Sequence, residues 1–257
     1  MESKEVNEIR EKLKQLGNPT LAQNYKRYLK SPYEFYGLRV PQLRKIAKSY
    51  KNISIYDAYN LFDELFYSNN HEEMCMAIFL LQNYKKQYNI EIWKFLTQEK
   101  VLNKLKTWDH VDALCGGILG YIVAENNQLN AQLKDFSTSR NPWIRRVSIV
   151  SQGSNIKKGK IQLTILLAER LCHDEDIYVQ KATGWMLREA GKKNPIQIQE
   201  FIKIHRAMKP ACLSYATEKM LPFRTLIKSM KENDKSNNDA NKENEISELE
   251  KIKHFKN

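Results

Sequence analysis

The residues best placed to do chemistry lie in Thr107-Trp108-Asp109-His110-Val111-Asp112-Ala113-Leu114-Cys115. Trp108 and Asp112 stand four apart, which on a helix puts an indole ring and a carboxylate on one face. Asp favours caps and turns over helix interiors, so this pairing is unusual. A second stripe, Lys181, Trp185, Arg188 and Lys192, has helical spacing and surrounds a Trp with three cations. Cations reach phosphates, and an indole offers a surface for a sugar or base. The bland alternative is a core Trp185 with cations reaching round it. For Asp112 it is a structural carboxylate tied to Arg145 or Arg146, and Trp143 reads as core.

These residues need elements to hold them, and the chain shows a register. Glu73, Trp108, Trp143, Tyr178 and Leu213 follow one another at intervals of 35 residues, within EMCMAIF, WDHVDAL, WIRRVSI, YVQKATG and LSYATEK. Such a period marks stacked helix pairs, each burying its apolar face only against its neighbours. The register aligns Lys181 with Arg146 and Val111, and Trp185 with Val150 and Cys115. Trp108, Asp112, Arg146 and Trp185 should therefore lie along one edge of the stack, the concave wall of a solenoid.

Helical patterns fill the chain, and no strand-like alternation occurs. Residues 3–16 place Val6, Ile9, Leu13 and Leu16 inward. Further helices are expected at Leu21–Leu29, from Pro41, at Tyr56–Phe66, Glu72–Asn83, Ile90–Leu96, Trp143–Gln152, Ile161–Leu171 and Tyr178–Ala190, and from Pro195 and Pro210. The Trp108 helix should run to about Val123, through Gly116, Gly117 and Gly120, provided neighbouring backbone packs against those glycines. Tyr33–Pro41 reads as an aromatic loop, and Gly153–Gly159 as a loop carrying Lys157 and Lys158. Pro222 reads as the last turn of the array. Residues 1–228 form one domain on this reading. From Ser229 the chain turns Asn-, Lys- and Glu-rich, a disordered tail with one candidate helix at Glu245–Phe255.

Charge narrows the partner. The 257 residues carry a net charge of +12. Residues 231–257 hold six Lys against seven acids, leaving about +13 on the rest. A basic body implies a polyanion, with nucleic acid ahead of an anionic membrane. The four cysteines form no CxxC pair and read as reduced core residues of a cytoplasmic protein. His173 beside Cys172, and His205 near Cys212, lack a metal-site spacing, so no metal is expected. The charged start has no apolar run of a signal peptide, and Ala113–Ala124 is too short to span a bilayer.

Four segments carry a family resemblance: YEFYGLRVPQLRKIAK, TWDHVDALCGGILG, NPWIRRVSIVSQ and YVQKATGWMLREAGKKNP. Over roughly residues 5–225 the chain resembles the AlkD-like DNA alkylation repair glycosylases. The resemblance implies a right-handed all-α solenoid of HEAT-like repeats with a concave basic groove. It implies excision of cationic alkylpurines, chiefly 3-methyladenine and 7-methylguanine, from duplex DNA, without a metal or other cofactor. Matched by position, the family's catalytic aspartate falls on Asp112, its site tryptophans on Trp108 and Trp185, and its site arginine on Arg146. Tyr28 matches a DNA-contacting aromatic, and Arg188 and Lys192 match groove cations. Arg39 departs from the Gln of a characterised member, in a loop facing DNA opposite the lesion. With Lys157, Lys158 and Lys181, these complete the expected DNA-binding set. No lysine stands out as a Schiff-base nucleophile, which implies a monofunctional enzyme, and a groove along one array needs no partner chain, which implies a monomer. Non-catalytic binding of damaged or branched DNA and a protein-binding scaffold are the rival readings.

Overall fold

The computed structural model describes residues 3–234. Among them the regular structure is helical: α1 (Lys4–Leu16), α2 (Pro19–Leu29), α3 (Val40–Ser49), α4 (Ile55–Phe66), α5 (His71–Gln82), α6 (Ile90–Leu96), α7 (Glu99–Lys104) and α8 (Trp108–Leu114). There follow α9 (Gly120–Glu125), α10 (Asn130–Phe136), α11 (Pro142–Val150), α12 (Gly153–Lys157), α13 (Gln162–Leu171), α14 (Ile177–Gly191), α15 (Pro195–Ile204) and α16 (Pro210–Ala216). A last helix occupies 221–234.

The all-α helical-repeat expectation holds. Every mark of the 35-residue register falls within one helix of a series, the first four near its start: Glu73 in α5, Trp108 in α8, Trp143 in α11, Tyr178 in α14 and, mid-helix, Leu213 in α16. These helices pack in chain order, α5 on α8, α8 on α11, α11 on α14 and α14 on α16, while α4 packs on α5, α10 on α11, and α13 and α15 on α14. Stacking thus completes a core that no single pair could close. Gly184 shows how close the last step is, since a Cβ there would lie 2.3 Å from the Cys212 carbonyl oxygen.

Local capping follows the sequence. Asn18, Ser54, Asn70, Asn89, Asn141, Asp176 and Asn194 each cap a helix through the side chain. Pro19, Pro142, Pro195 and Pro210 begin helices, where a missing N–H leaves nothing unsatisfied.

Several expectations are corrected. Leu16, expected inward, is exposed at the end of α1, whose buried residues are Val6, Ile9 and Leu13. The helix from Trp108 does run through the glycines to Glu125, as expected, but with a π-helical turn at Cys115–Leu119 between α8 and α9. Gly120 does meet neighbouring backbone, with a Cβ position 3.0 Å from the Ser151 carbonyl, but Gly116 faces open space. Two adjacent glycines lower the local cost of leaving the α ladder. Gly153–Lys157, expected as loop, is helix α12. Helices α7 and α10 were not anticipated. Pro222 stands in the first turn of a further helix, not at the end of the array, and that helix continues past residue 228 to 234. Its Phe223 and Ile227 are buried and Asp234 pairs with Arg206 at 2.5 Å, so packing holds a polar segment that composition alone marks as tail. The candidate helix Glu245–Phe255 lies outside the described residues.

The aromatic loop before α3 is fixed by one carboxylate. Glu72, 1% exposed, accepts backbone N–H groups from Tyr36 at 3.1 Å, Gly37 at 2.8 Å and Leu38 at 3.2 Å. Gly37 has φ +87°, and a Cβ there would strike the Asn18 carbonyl, so this turn accepts only glycine. Glu72→Ala leaves those N–H groups without their acceptor and is expected to cost about 3 kcal/mol, read from urea unfolding. Glu72→Gln, which keeps an acceptor oxygen, should lose visibly less.

Candidate active site

Trp108 takes the first position of α8, and Asp112 follows one turn later on the same face. Arg146 reaches across from α11. Its Nε donates to Asp112 Oδ1 at 3.0 Å and its Nη2 to Oδ2 at 2.9 Å, a bidentate fork. Nη1 donates to the carbonyl of Tyr178 at the start of α14. Three successive repeats are therefore laced together at one point. Trp185, one turn beyond Lys181 on α14, closes the far wall of a cleft of about 210 Å³. Trp108, Asp112, Arg146 and Lys181 line this cleft together with Tyr28, Tyr178, Trp185 and Tyr215. The edge predicted from register is thus formed, displaced by one residue on α8: Val111 is buried and Asp112 faces the cleft.

Burial raises the Asp112 carboxyl above its ordinary value, Arg146 opposes the rise through its charge and hydrogen bonds, and Asp109 adds to it. The cleft thus holds a carboxylate between indole rings, with cationic side chains at its wall.

The family model for DNA alkylation repair enzymes matches residues 9–220. The chain belongs to this family. A solved structure described as a predicted DNA alkylation repair enzyme from Enterococcus faecalis is similar at 22% identity, with a TM-score of 0.67 over 79% of this chain and 96% of that one. At that identity the likeness shows the fold. No curated protein matches the sequence significantly.

In this alkylation-repair chain the expected site residues divide. Tyr28 is 72% exposed on α2 and meets Trp108 edge-on, with ring centroids 6.2 Å apart at 84°. Lys157 and Lys192 line a neighbouring groove that shares Trp185 and also holds Lys193, Glu189 and the open Gly116. Lys158 points elsewhere, to Glu125 at 2.5 Å. Arg188 is engaged by Glu218 and by Glu189, and Lys192, just past the end of α14, also pairs with Glu189 at 2.6 Å, so the stripe is split. Arg39 is exposed at the start of α3, where Gln42 accepts its backbone N–H at 2.9 Å. Of the two arginines expected as partners of Asp112, Arg145 is not one, because it grips Asp174 at 2.6 and 2.9 Å. Trp143 packs on the core and against Tyr178, at 5.2 Å between centroids.

Sequence reasoning used Tyr178 only as a register mark and missed Tyr215. Each sits near the register position of its repeat, the one signal that pointed to them. It also missed a buried cluster beneath Trp108. Asp109 Oδ2 accepts from His71 Nε2 at 2.8 Å, and the His71 ring stacks on Phe35 at 4.4 Å and on His110 at 4.0 Å. His110 Nε2 donates to the His71 carbonyl at 3.1 Å, which leaves Nδ1 to accept the Thr107 hydroxyl at 2.9 Å. Among the described residues, two groups have donor atoms within 4.8 Å of one another and are the places that could hold a metal: His71, Cys75 and His110, and Cys172, His173 and His205. Folding assembles both from spacings that gave no signal. All four cysteines are free and buried.

Burial first, and then the neighbouring His71, push His110 from its ordinary 6.5 down to about 3. The unfolded chain therefore binds a proton that the folded chain refuses between those values. Stability rises with pH across that window and falls on acidification, by about 1.4 kcal/mol per pH unit for the one proton. Urea unfolding of His110→Gln between the same limits should show a shallower slope than wild type.

No helix among the described residues is long and apolar enough to cross a membrane.

Proposed function

We propose that this protein is a monofunctional DNA glycosylase that hydrolyses the N-glycosidic bond of cationic alkylpurines, such as 3-methyladenine and 7-methylguanine, in duplex DNA, acting as a monomer. The observation that carries the reading is the placement of the Asp112 carboxylate in a cleft between Trp108 and Trp185, inside a chain of the alkylation-repair family.

N-glycosidic cleavage passes through an oxocarbenium-like sugar. The C1′–N bond breaks with its electron pair passing to the purine, which leaves neutral because it began as a cation. Such a base needs no general acid, in keeping with one central carboxylate. Asp112 stabilises positive charge at C1′ and orients the water that adds there. The water's proton passes to solvent by way of the carboxylate. Trp108 and Trp185 pack on the deoxyribose and offer ring faces to the same charge. Lys181 and the terminal N–H groups of Arg146 not held by Asp112 or Tyr178 take the adjoining phosphate. Lys157 and Lys192 extend that contact along the strand, and Tyr28 and Arg39 meet the duplex from the other side.

A second reading, non-catalytic binding of damaged DNA, draws on the Asp112–Arg146 fork, which is also how a structural carboxylate looks. Release of 7-methylguanine from methylated duplex DNA tests the two, with Asp112→Asn as the comparison. Base release by wild type alone establishes the glycosylase, whereas intact DNA affinity without release leaves the binder. Affinity should fall steeply with salt in either case, because several phosphates are neutralised. A flat salt response would point to a protein-binding scaffold.

A further inference from the structure

Cys172 closes α13, His173 follows it, and His205 closes α15. Folding brings the Cys172 Sγ and a ring nitrogen of each histidine within 4.8 Å of one another. Neighbouring groups hold these donors in place. The Lys209 N–H donates to the Cys172 carbonyl at 2.9 Å, which pins the chain leaving α15 to the end of α13. The His205 ring packs on Phe201, with centroids 4.3 Å apart at 32°. Asp174, next after His173, is gripped by Arg145. Cys172 is fully buried, His205 half-buried and His173 exposed, so the group opens to solvent on one side. Neither histidine spends a ring nitrogen on a hydrogen bond among the described residues, and the Cys172 thiol donates only to the Glu169 carbonyl, at 3.6 Å. The group of His71, Cys75 and His110 differs on each count. It is buried throughout, His110 uses both ring nitrogens, and the His71 and His110 rings stack at 4.0 Å, which sets their nitrogens side by side and not around a common point.

We propose that Cys172, His173 and His205 form a binding site for a borderline-soft divalent cation, with zinc the best fit. The site is separate from the Asp112 cleft and does not rest on the glycosylase reading. One thiolate and two imidazoles suit zinc, and hard cations such as magnesium prefer oxygen donors that this set lacks. Donor atoms of a tetrahedral zinc site lie about 3.5 Å apart, so small side-chain rotations close the set, and three protein ligands leave the fourth position to water. Binding exchanges the S–H bond of Cys172 for a sulfur–metal bond, with the proton passing to solvent, and the histidines bind as neutral rings. The ion would then tie the end of α13 to the end of α15, at the head of the loop that leads into α14. That loop ends at Asp176, the cap of α14, and α14 carries Lys181 and Trp185 to the Asp112 cleft. The ligands come together only in the folded chain, so the ion stabilises the repeats that form the far wall of the cleft.

Titration of the full, chelator-stripped chain with cobalt(II), which takes zinc's ligands and reports them by colour, tests the site. Wild type should take up one equivalent with a thiolate-to-cobalt charge-transfer band, and zinc should displace it. Cys172→Ser should remove the band. His173→Gln and His205→Gln should each lower affinity at least about tenfold. His173 is exposed, so its variant keeps the test valid even where Cys172→Ser disturbs packing. Cys75→Ala should leave the band unchanged. Zinc at a hundredfold excess over its Kd should raise the thermal midpoint of wild type by roughly 5–10 °C, and the same concentration should raise that of His173→Gln by much less. No uptake, or uptake without a thiolate band, overturns the site, the latter because it marks binding at surface oxygens. A band that survives Cys172→Ser, or undiminished affinity in His173→Gln, overturns it as well. A band lost in Cys75→Ala puts the metal in the His71 cluster and overturns it too. Base excision is read at no step, so each outcome stands apart from the fate of the glycosylase reading.

Discussion

Replacing Asp112 with Asn is expected to cut excision of 7-methylguanine by roughly 10²- to 10³-fold, the scale on which a positioned electrostatic group contributes to a transition state. The substitution keeps shape and can still accept from Arg146, so the loss reads out charge and not collapse of the cleft. DNA affinity should change little, because Asp112 repels phosphate if it acts on it at all. Single-turnover rates on methylated duplex DNA separate the two effects. The pH profile adds a second check. Burial raises the Asp112 carboxyl, so the acid limb of wild-type excision should lie above the range of an ordinary carboxylate. Activity needs the ionised form and is lost as pH falls through that raised value. Unchanged excision by Asp112→Asn would return the carboxylate to a structural role.

Arg146→Ala is expected to be the most damaging substitution to the cleft as a whole. Arg146 is 5% exposed and joins α8, α11 and α14 through Asp112 and the Tyr178 carbonyl. Its removal leaves a half-buried carboxylate unpaired and a carbonyl without its donor. Breaking such a pair costs about 3–5 kcal/mol, measured as a lower urea midpoint. The Asp112 carboxyl, already raised by burial, should rise further, so excision should fail near neutral pH as well. A double variant decides how much of the loss is stranded charge. Asp112→Asn combined with Arg146→Ala should be more stable than Arg146→Ala alone, because it removes the uncompensated anion. If the double variant is no better, the fork matters for packing between repeats and not for charge.

The sequence alone determined the class of fold and the line on which the Asp112 cleft lies. Both rest on periodic, local physics. A spacing of four puts Trp108 and Asp112 on one helical face, and the 35-residue register, slipped by one residue at Asp112, brings Arg146 and Trp185 to the same edge once the helices stack. Asn and Asp caps and first-turn prolines mark helix starts for equally local reasons. Tertiary structure decided what short-range signals do not encode. It paired Arg146 with Asp112 while sending the adjacent Arg145 to Asp174, a choice set by which face each side chain leaves from α11. It turned Arg188 and Lys158 to Glu218 and Glu125, although both stood in the expected DNA-binding set. It opened a π-helical turn at the glycines after Asp112, and it carried the last helix through Ser229 because Phe223 and Ile227 find a core to enter. Above all it gathered Phe35, His71, Asp109 and His110 beneath Trp108 from three separate stretches of chain. A periodic pattern states which residues share a face. Which opposite charge or ring each one meets depends on distances between helices, and only packing sets those.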